Sequence, residues 1–202
     1  METLKRYAQE GHVCLKYLDE TGFCLWSPPC YTWCLVRHQY RQEQGDRRGR
    51  RLSLIGLWEP GREMTYALVI GSINSERYIR FMNAQAKRAA RRLKSRGQIT
   101  VIVQDNGSSH TSKAVQACIP RWQEMGLYFF QLPPYCSEMN PIEIQWRQVK
   151  AYGIRGRIFD DEYDLALAVI TSMRTRGQVA NYRVQRWSFA SQRLIYSSIL
   201  ST

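Results

Sequence analysis

The sequence predicts an α/β domain: a mixed central sheet of about five strands flanked by helices. Three observations carry this. Residues 99–103, Ile-Thr-Val-Ile-Val, form an unbroken β-branched run, the pattern of a strand buried on both faces. Residues 52–71 hold two apolar runs around Glu59-Pro60-Gly61, the pattern of a hairpin. Between these, residues 74–97 place Tyr78, Phe81, Met82, Ala86 and Leu93 at helical spacing, with Asn74 or Ser75 as cap and Gly97 as stop.

The remaining elements follow in order. Residues 2–9 are polar and read as a short helix. "HVCLKYLDE" alternates, with Val13, Leu15 and Tyr17 on one face, and reads as a strand ending at Asp19. "TGFCLWSPPCYTW" is turn-rich, with Gly22 and Pro28-Pro29, and reads as a second extended segment. Residues 41–51 form a polar, basic loop. Beyond the β-branched run, which closes on Asp105, "SSHTSKAVQACIPRW" reads as one helix, capped near Ser109 or Thr111 and disturbed at Pro120. "LYFFQLPPY" reads as another buried strand, closed by Pro133-Pro134. In "EMNPIEIQW", Asn140 is a favoured cap and Pro141 suits the first helical position, which sets Glu143 third. A last clear helix runs from Asp160 or Asp161 to about Arg174, and residues 177–202 read as helical in part.

Charge narrows the function. The chain has 202 residues, with 29 Lys and Arg against 17 Asp and Glu, a net charge of +12. That excess suits a polyanion, nucleic acid before an anionic membrane surface. No apolar run reaches the roughly 18 residues of a membrane span, and no signal peptide is legible. The six cysteines show no CxxC pair, so reduced thiols in a cytoplasmic protein are expected. Cys30, Cys34 and His38 can be drawn as a metal site, but the spacing is loose and a fourth ligand is missing.

Two acids, Asp19 and Asp105, fall where strands are expected to end, and Glu143 falls near a helix start after another strand. Open α/β sheets place their sites beyond the carboxyl ends of strands. Three carboxylates converging there would repel unless a cation neutralised them. Oxygen-only ligands point to Mg²⁺ or Mn²⁺, and two such ions serve phosphoryl transfer. Each acid also has a plain reading. Asp19 can be a turn acid beside Glu20, "DNG" at Asp105 is a good turn, and Glu143 can fold back onto the Asn140 N–H as a capping box.

The motifs together are more specific. "YLDETGF", "VIVQDNGSSHTSKAV" and "LPPYCSEMNPIEIQWRQVK" resemble the three acidic motifs of DDE transposases of the mariner superfamily, in its bacterial insertion-sequence branch of the IS-six-thirty type. The third motif keeps Leu132, Pro133, Pro134, Tyr135, Glu138, Asn140, Pro141, Ile142, Glu143 and Trp146, and departs at Cys136, Ser137 and Met139. The likeness covers residues 12–175. It implies a ribonuclease-H-like fold, with Asp19, Asp105 and Glu143 as catalytic acids holding two Mg²⁺ or Mn²⁺ ions. It implies hydrolysis at transposon ends and attack of the freed 3′-hydroxyl on target DNA. Asn106 and His110 match family positions; His110 is read as structural or capping before phosphate-binding, and Trp146 as core packing. The geometric expectation is that the three carboxylates lie within metal-bridging reach, with Glu143 not bonded to the Asn140 N–H.

The implied partner is double-stranded DNA, at transposon ends and at the target, in the bacterial nucleoid; a homodimer is a further expectation. "KRAARRLKSR" holds six basic residues and no acid, and Lys87, Arg88, Arg91 and Arg92 are read as phosphate contacts. Lys150, Arg155 and Arg157 follow close on Glu143 and are read the same way. The expected division is a catalytic domain over residues 1–175 and a helical tail over 176–202. The family's N-terminal helix-turn-helix region is expected to be absent, either separately encoded or lost. Two rivals stand beside this reading: a catalytically inactive remnant that only binds DNA, and a structural RNA-binding protein.

Overall fold

The computed structural model describes residues 1–27, 36–37, 49–133 and 139–189. Helix α1 (Glu2–Gln9) leads into β1 (Val13–Phe23). The hairpin β2 (Leu52–Glu59) and β3 (Glu63–Ile70) turns at Gly61, whose φ of 69° suits glycine. Helix α2 (Ser75–Arg96) is capped by the Asn74 side chain, which accepts from the Arg77 N–H, and ends on Gly97 in the left-handed region. Strand β4 (Ile99–Gln104) follows, then three short helices, α3 (Ser108–Thr111), α4 (Lys113–Gln116) and α5 (Ile119–Glu124). Strand β5 (Leu127–Gln131), α6 (Ile142–Gly153), α7 (Glu162–Val179) and β6 (Arg183–Arg186) complete the described chain.

The strands form one six-stranded sheet in the order β5-β4-β1-β2-β3-β6. β1 pairs antiparallel with β2 and parallel with β4; β3 and β6 are parallel, as are β4 and β5. Side chains alternate between the two faces. On one face Tyr17, Leu54, Met64 and Val103 pack against Trp146 and Val149 of α6 and Leu165 and Met173 of α7. On the other, Leu18, Ile55, Leu57 and Ile102 pack against Tyr78, Phe81 and Met82 of α2 and against Trp122. Tyr78, Phe81 and Met82 are fully buried, each contributing on the order of 1.5–3 kcal/mol. Two covered faces explain why the central strands read as apolar runs.

Several expectations change. β1 continues past Asp19 to Phe23, because β2 still pairs with it there, through Phe23↔Leu52. The single helix expected after Asp105 is three short ones. Ser112 adopts an extended conformation and its side chain accepts from the Val115 N–H, which restarts the helix, while Pro120 sits in the first turn of α5 and opens it. β5 is an edge strand and only partly buried. α7 runs across the expected boundary at residue 175 to Val179, capped by Asp161. Residues 183–186, expected in a helical tail, add a sixth strand, because β3 offers an open edge to Arg183–Arg186. Among the described residues Cys14, Cys24 and Cys118 are free thiols, and no helix is long and apolar enough to cross a membrane. Cys30, Cys34, His38 and residues 134–138 lie outside the described residues.

Candidate active site

The sheet opens where the acids stand. Parallel pairing between β1 and β4 ends at Tyr17↔Val103. Asp19 lies two residues beyond Tyr17, still within β1, and Asp105 lies two residues beyond Val103, the first residue past β4. Extending the register therefore sets the two acids level, on the same face of neighbouring strands.

Asp19 is half-buried and held by Trp146, whose Nε1–H donates to its Oδ2 at 2.9 Å. The indole reaches it by lying over Gly56, the residue paired with Asp19 on β2. A Cβ at Gly56 would stand 2.3 Å from Trp146 Cη2, so only glycine leaves room. Burial pushes the Asp19 carboxyl up to about 6, and the Glu143 and Asp105 charges add to the rise, against hydrogen bonds from the Glu20 N–H and Trp146. The three acids thus share one field.

Glu143 arrives on α6, whose start is fixed by an unexpected contact. Asn140 does not cap the helix; the first turn begins at Pro141 with no side-chain cap. The Asn140 Nδ2 instead donates 2.9 Å to the Leu18 carbonyl, one residue before Asp19, and Asn140 is buried there. This hook fastens the start of α6 to β1. The expectation that Glu143 is free of a capping box holds, and its side chain is half-buried. The expected metal-bridging cluster is not formed: among the described residues, no three His, Cys, Asp or Glu side chains gather at metal-holding distance.

Asp105 is anchored from its other side. His110 Nδ1 lies 3.0 Å from Asp105 Oδ1, which also accepts from the Gly107 N–H at 3.1 Å. His110 Nε2 lies 3.2 Å from Glu20 Oε1. Burial lowers the His110 pKa, but its two carboxylate partners outweigh that and raise it to about 9. At neutral pH the buried ring is an imidazolium joining β1 to the end of β4. Asn106 Nδ2 donates to the Leu132 carbonyl at 2.9 Å and ties the same loop to the end of β5.

The basic residues divide. A groove of about 610 Å³ beside Asp19 is lined by Glu20, Gly22, Gly49, Arg51 and Lys150. Burial and the nearby Arg51 guanidinium hold the Lys150 ammonium below its usual pKa, with Asp19 opposing. Arg155 and Arg157 are exposed just beyond α6. Lys87, Arg88, Arg91 and Arg92 are elsewhere, toward the far end of α2. Arg92 donates to both Glu59 carboxylate oxygens, and Arg88 donates to Glu63 and Thr65. The sequence reading missed Arg51 as a groove residue, and it missed Trp146 and Asn140 as contacts to β1. The motif named both contact residues, but nothing local shows what an indole N–H or an amide will meet.

No curated protein sequence matches the chain. Solved structures do. A pre-cleavage Mos1 transpososome matches with 15% identity and a TM-score of 0.64, over 89% of this chain and 57% of that one. The Mos1 mariner paired end complex with Mn matches with 15% identity and a TM-score of 0.64, over 89% of this chain and 56% of that one. The catalytic domain of Mos1 mariner transposase matches with 14% identity and a TM-score of 0.58, over 89% of this chain and 84% of that one. The chain spans little more than half the length of the proteins in the two complexes. At this identity the likeness establishes the fold: ribonuclease-H-like, as the sequence motifs imply. DDE superfamily endonuclease is also the family that matches residues 15–166, most of the sequence and all three acids. A mixed sheet opening at Asp19 and Asp105, the Mos1-like fold and that match agree, and the chain belongs to the DDE superfamily endonucleases.

Proposed function

We propose that the chain is the catalytic domain of an insertion-sequence transposase of the IS-six-thirty type. In this reading it cleaves strands of double-stranded DNA at transposon ends and joins the freed 3′-hydroxyl to target DNA. The observation that carries it is the opening of the sheet, with Asp19 on β1 and Asp105 just past the end of neighbouring β4, and the Glu143 helix hooked to the strand bearing Asp19. The domain as proposed takes in β6, with a second copy of the chain as partner in the nucleoid.

Asp19, Asp105 and Glu143 are assigned as ligands of Mg²⁺ or Mn²⁺. The donor set fits, being oxygen only, and Asp19 carries a charge that burial and its neighbours make unfavourable. One Mos1 complex is described with Mn. Two bound ions would activate the attacking oxygen and stabilise the leaving one. The chain's own groups do the rest. Trp146 aims the Asp19 carboxylate, and His110 and the Gly107 N–H hold Asp105 Oδ1, leaving Oδ2 without a hydrogen bond among the described residues. Arg51 and Lys150 place two cations along the groove, suited to successive phosphates, with Arg155 and Arg157 beyond them.

The test is nicking of a duplex carrying the element's ends in Mg²⁺ or Mn²⁺, with Asp105→Asn as control. Equal activity in both proteins sinks the assignment. One observation favours the alternative, an inactive remnant that only binds DNA: the three carboxylates are not gathered at metal-holding distance. Titration with Mn²⁺ separates the two, since the remnant binds none and Asp19→Asn leaves its DNA affinity unchanged.

A further inference from the structure

The sheet carries a second polar centre, on the face opposite Asp19. Lys16 and Asp19 lie three residues apart on β1, so their side chains leave opposite faces. Lys16 is buried between Glu59 at 3.3 Å and Glu63 at 3.0 Å. Arg62 and Arg92 also pair with Glu59, and Arg88 and Arg183 with Glu63. Five cations surround two buried carboxylates. The cations exceed the carboxylates by three.

The excess faces outward. One groove, of about 590 Å³, is lined by Arg80, Lys87, Arg88, Arg91 and Arg183. A neighbouring groove shares Arg91 and Arg183 and adds Arg62, Arg92 and Arg96, with Glu59 and Glu63 as its acids. Lys87, Arg91 and Arg96 are exposed and have no ion-pair or hydrogen-bond partner among the described residues. Lys87 and Arg91 are one helical turn apart, about 6 Å along α2. Arg88 and Arg92, anchored on Glu63 and Glu59, hold that helix against the sheet and turn Lys87 and Arg91 outward.

This ridge stands apart from the acids. Tyr78, near the start of α2, donates its hydroxyl to Gln104, the residue before Asp105. Arg91 lies thirteen residues on, about 20 Å further along the helix, and on the other face of the sheet.

We infer that the outer face of α2 with β6 is a second nucleic-acid surface, binding the backbone of a DNA duplex separate from the one at the acids. This rests on the proposed strand-transfer function, in which one protein must hold two DNA segments. Closely spaced cations, with Trp187 as the one large apolar side chain beside them, suit a phosphate backbone bound without sequence preference.

The test is bridging. Two duplexes carrying a donor and an acceptor fluorophore are mixed with the Asp105→Asn protein, which keeps both uncut. Energy transfer between them is expected. The triple variant Lys87→Gln, Arg91→Gln, Arg96→Gln in that background is expected to abolish it and to lower the salt slope of DNA binding by about two to three. Arg91→Gln alone should lower it by about one. Circular dichroism and Tm confirm that the variants fold. Undiminished bridging by the triple variant overturns the inference, as does binding of a polyglutamate peptide in place of the second duplex. Bridging with no Mg²⁺-dependent nicking by the unmodified chain would support the ridge and sink the proposed chemistry, so the two failures read differently.

Discussion

Carboxylates occur at two places on this sheet and are treated in opposite ways. At the far end, Glu59 and Glu63 are buried among five cations, and those partners outweigh burial to hold Glu63 down at about 2. At the open end His110 holds Asp105 below its usual value, but Asp19 has no ion-pair partner among the described residues, and burial with the Glu143 and Asp105 charges pushes it up to about 6. A chain with a net charge of +12 does not lack cations to place beside an acid. It neutralises Glu59 and Glu63 and leaves Asp19 short. Acids that the fold itself leaves unneutralised are the ones that suit a cation from solution.

The contrast can be broken first at its strong end. Lys16→Met removes the cation shared by Glu59 and Glu63 and leaves both carboxylates buried with fewer partners. Urea unfolding is expected to show a loss of about 3 kcal/mol. An unchanged midpoint would mean the surrounding arginines suffice.

The same end carries a pH signature. Glu63 is depressed in the fold, so its stabilisation is complete above the ordinary carboxyl value of 4.5 and is lost as pH falls toward about 2. Glu63→Gln is expected to cost about 2 kcal/mol at pH 7. The gap from the parent should narrow steadily below pH 4.5 in a series of denaturant titrations.

At the open end, Trp146→Phe keeps an aromatic ring in the core, removes the hydrogen bond to Asp19 and uncovers Gly56. A loss of about 1.5 kcal/mol is expected. The Asp19 carboxyl should titrate higher still when followed by NMR. A titration that does not move would return Trp146 to plain core packing.

The smallest effect has the opposite sign. Asp19 is raised in the fold, so its charge destabilises the metal-free protein as pH climbs from 3.8 through about 6. Asp19→Asn is expected to be more stable than the parent by about 1 kcal/mol at pH 7, after allowing for partial exposure, and equal to it near pH 3.5. The same variant should lose Mn²⁺ binding. Destabilisation at pH 7 would show that the fold does not strain this carboxylate.

Much of the architecture was legible in the sequence where a local signal decides. Asn74 and Gly97 bound α2 as read, because capping depends on a few adjacent residues. The β-branched run placed β4 and brought Asp105 to its end. The acidic motifs named the three acids that the proposed function uses. The misreadings came where a distant partner decides. Asp19 is not at a strand end, because β2 goes on pairing after β4 has stopped. Asn140 looked like a cap and is a hook, because the Leu18 carbonyl lies within reach of its amide. Residues 183–186 became a strand because β3 had a free edge.

The sequence by itself determined most of the order of elements and the excess of positive charge, and it named the three acids proposed as metal ligands. These follow from propensity, periodicity and motif, all of which act over short stretches. Only the tertiary structure decided which charges are already satisfied. "KRAARRLKSR" reads as one basic run, yet Arg88 and Arg92 serve Glu63 and Glu59 while Lys87 and Arg91 stay outward. The physical reason is range. A charge is stabilised by whatever lies within a few ångströms, and in a folded sheet those neighbours come from strands tens of residues apart.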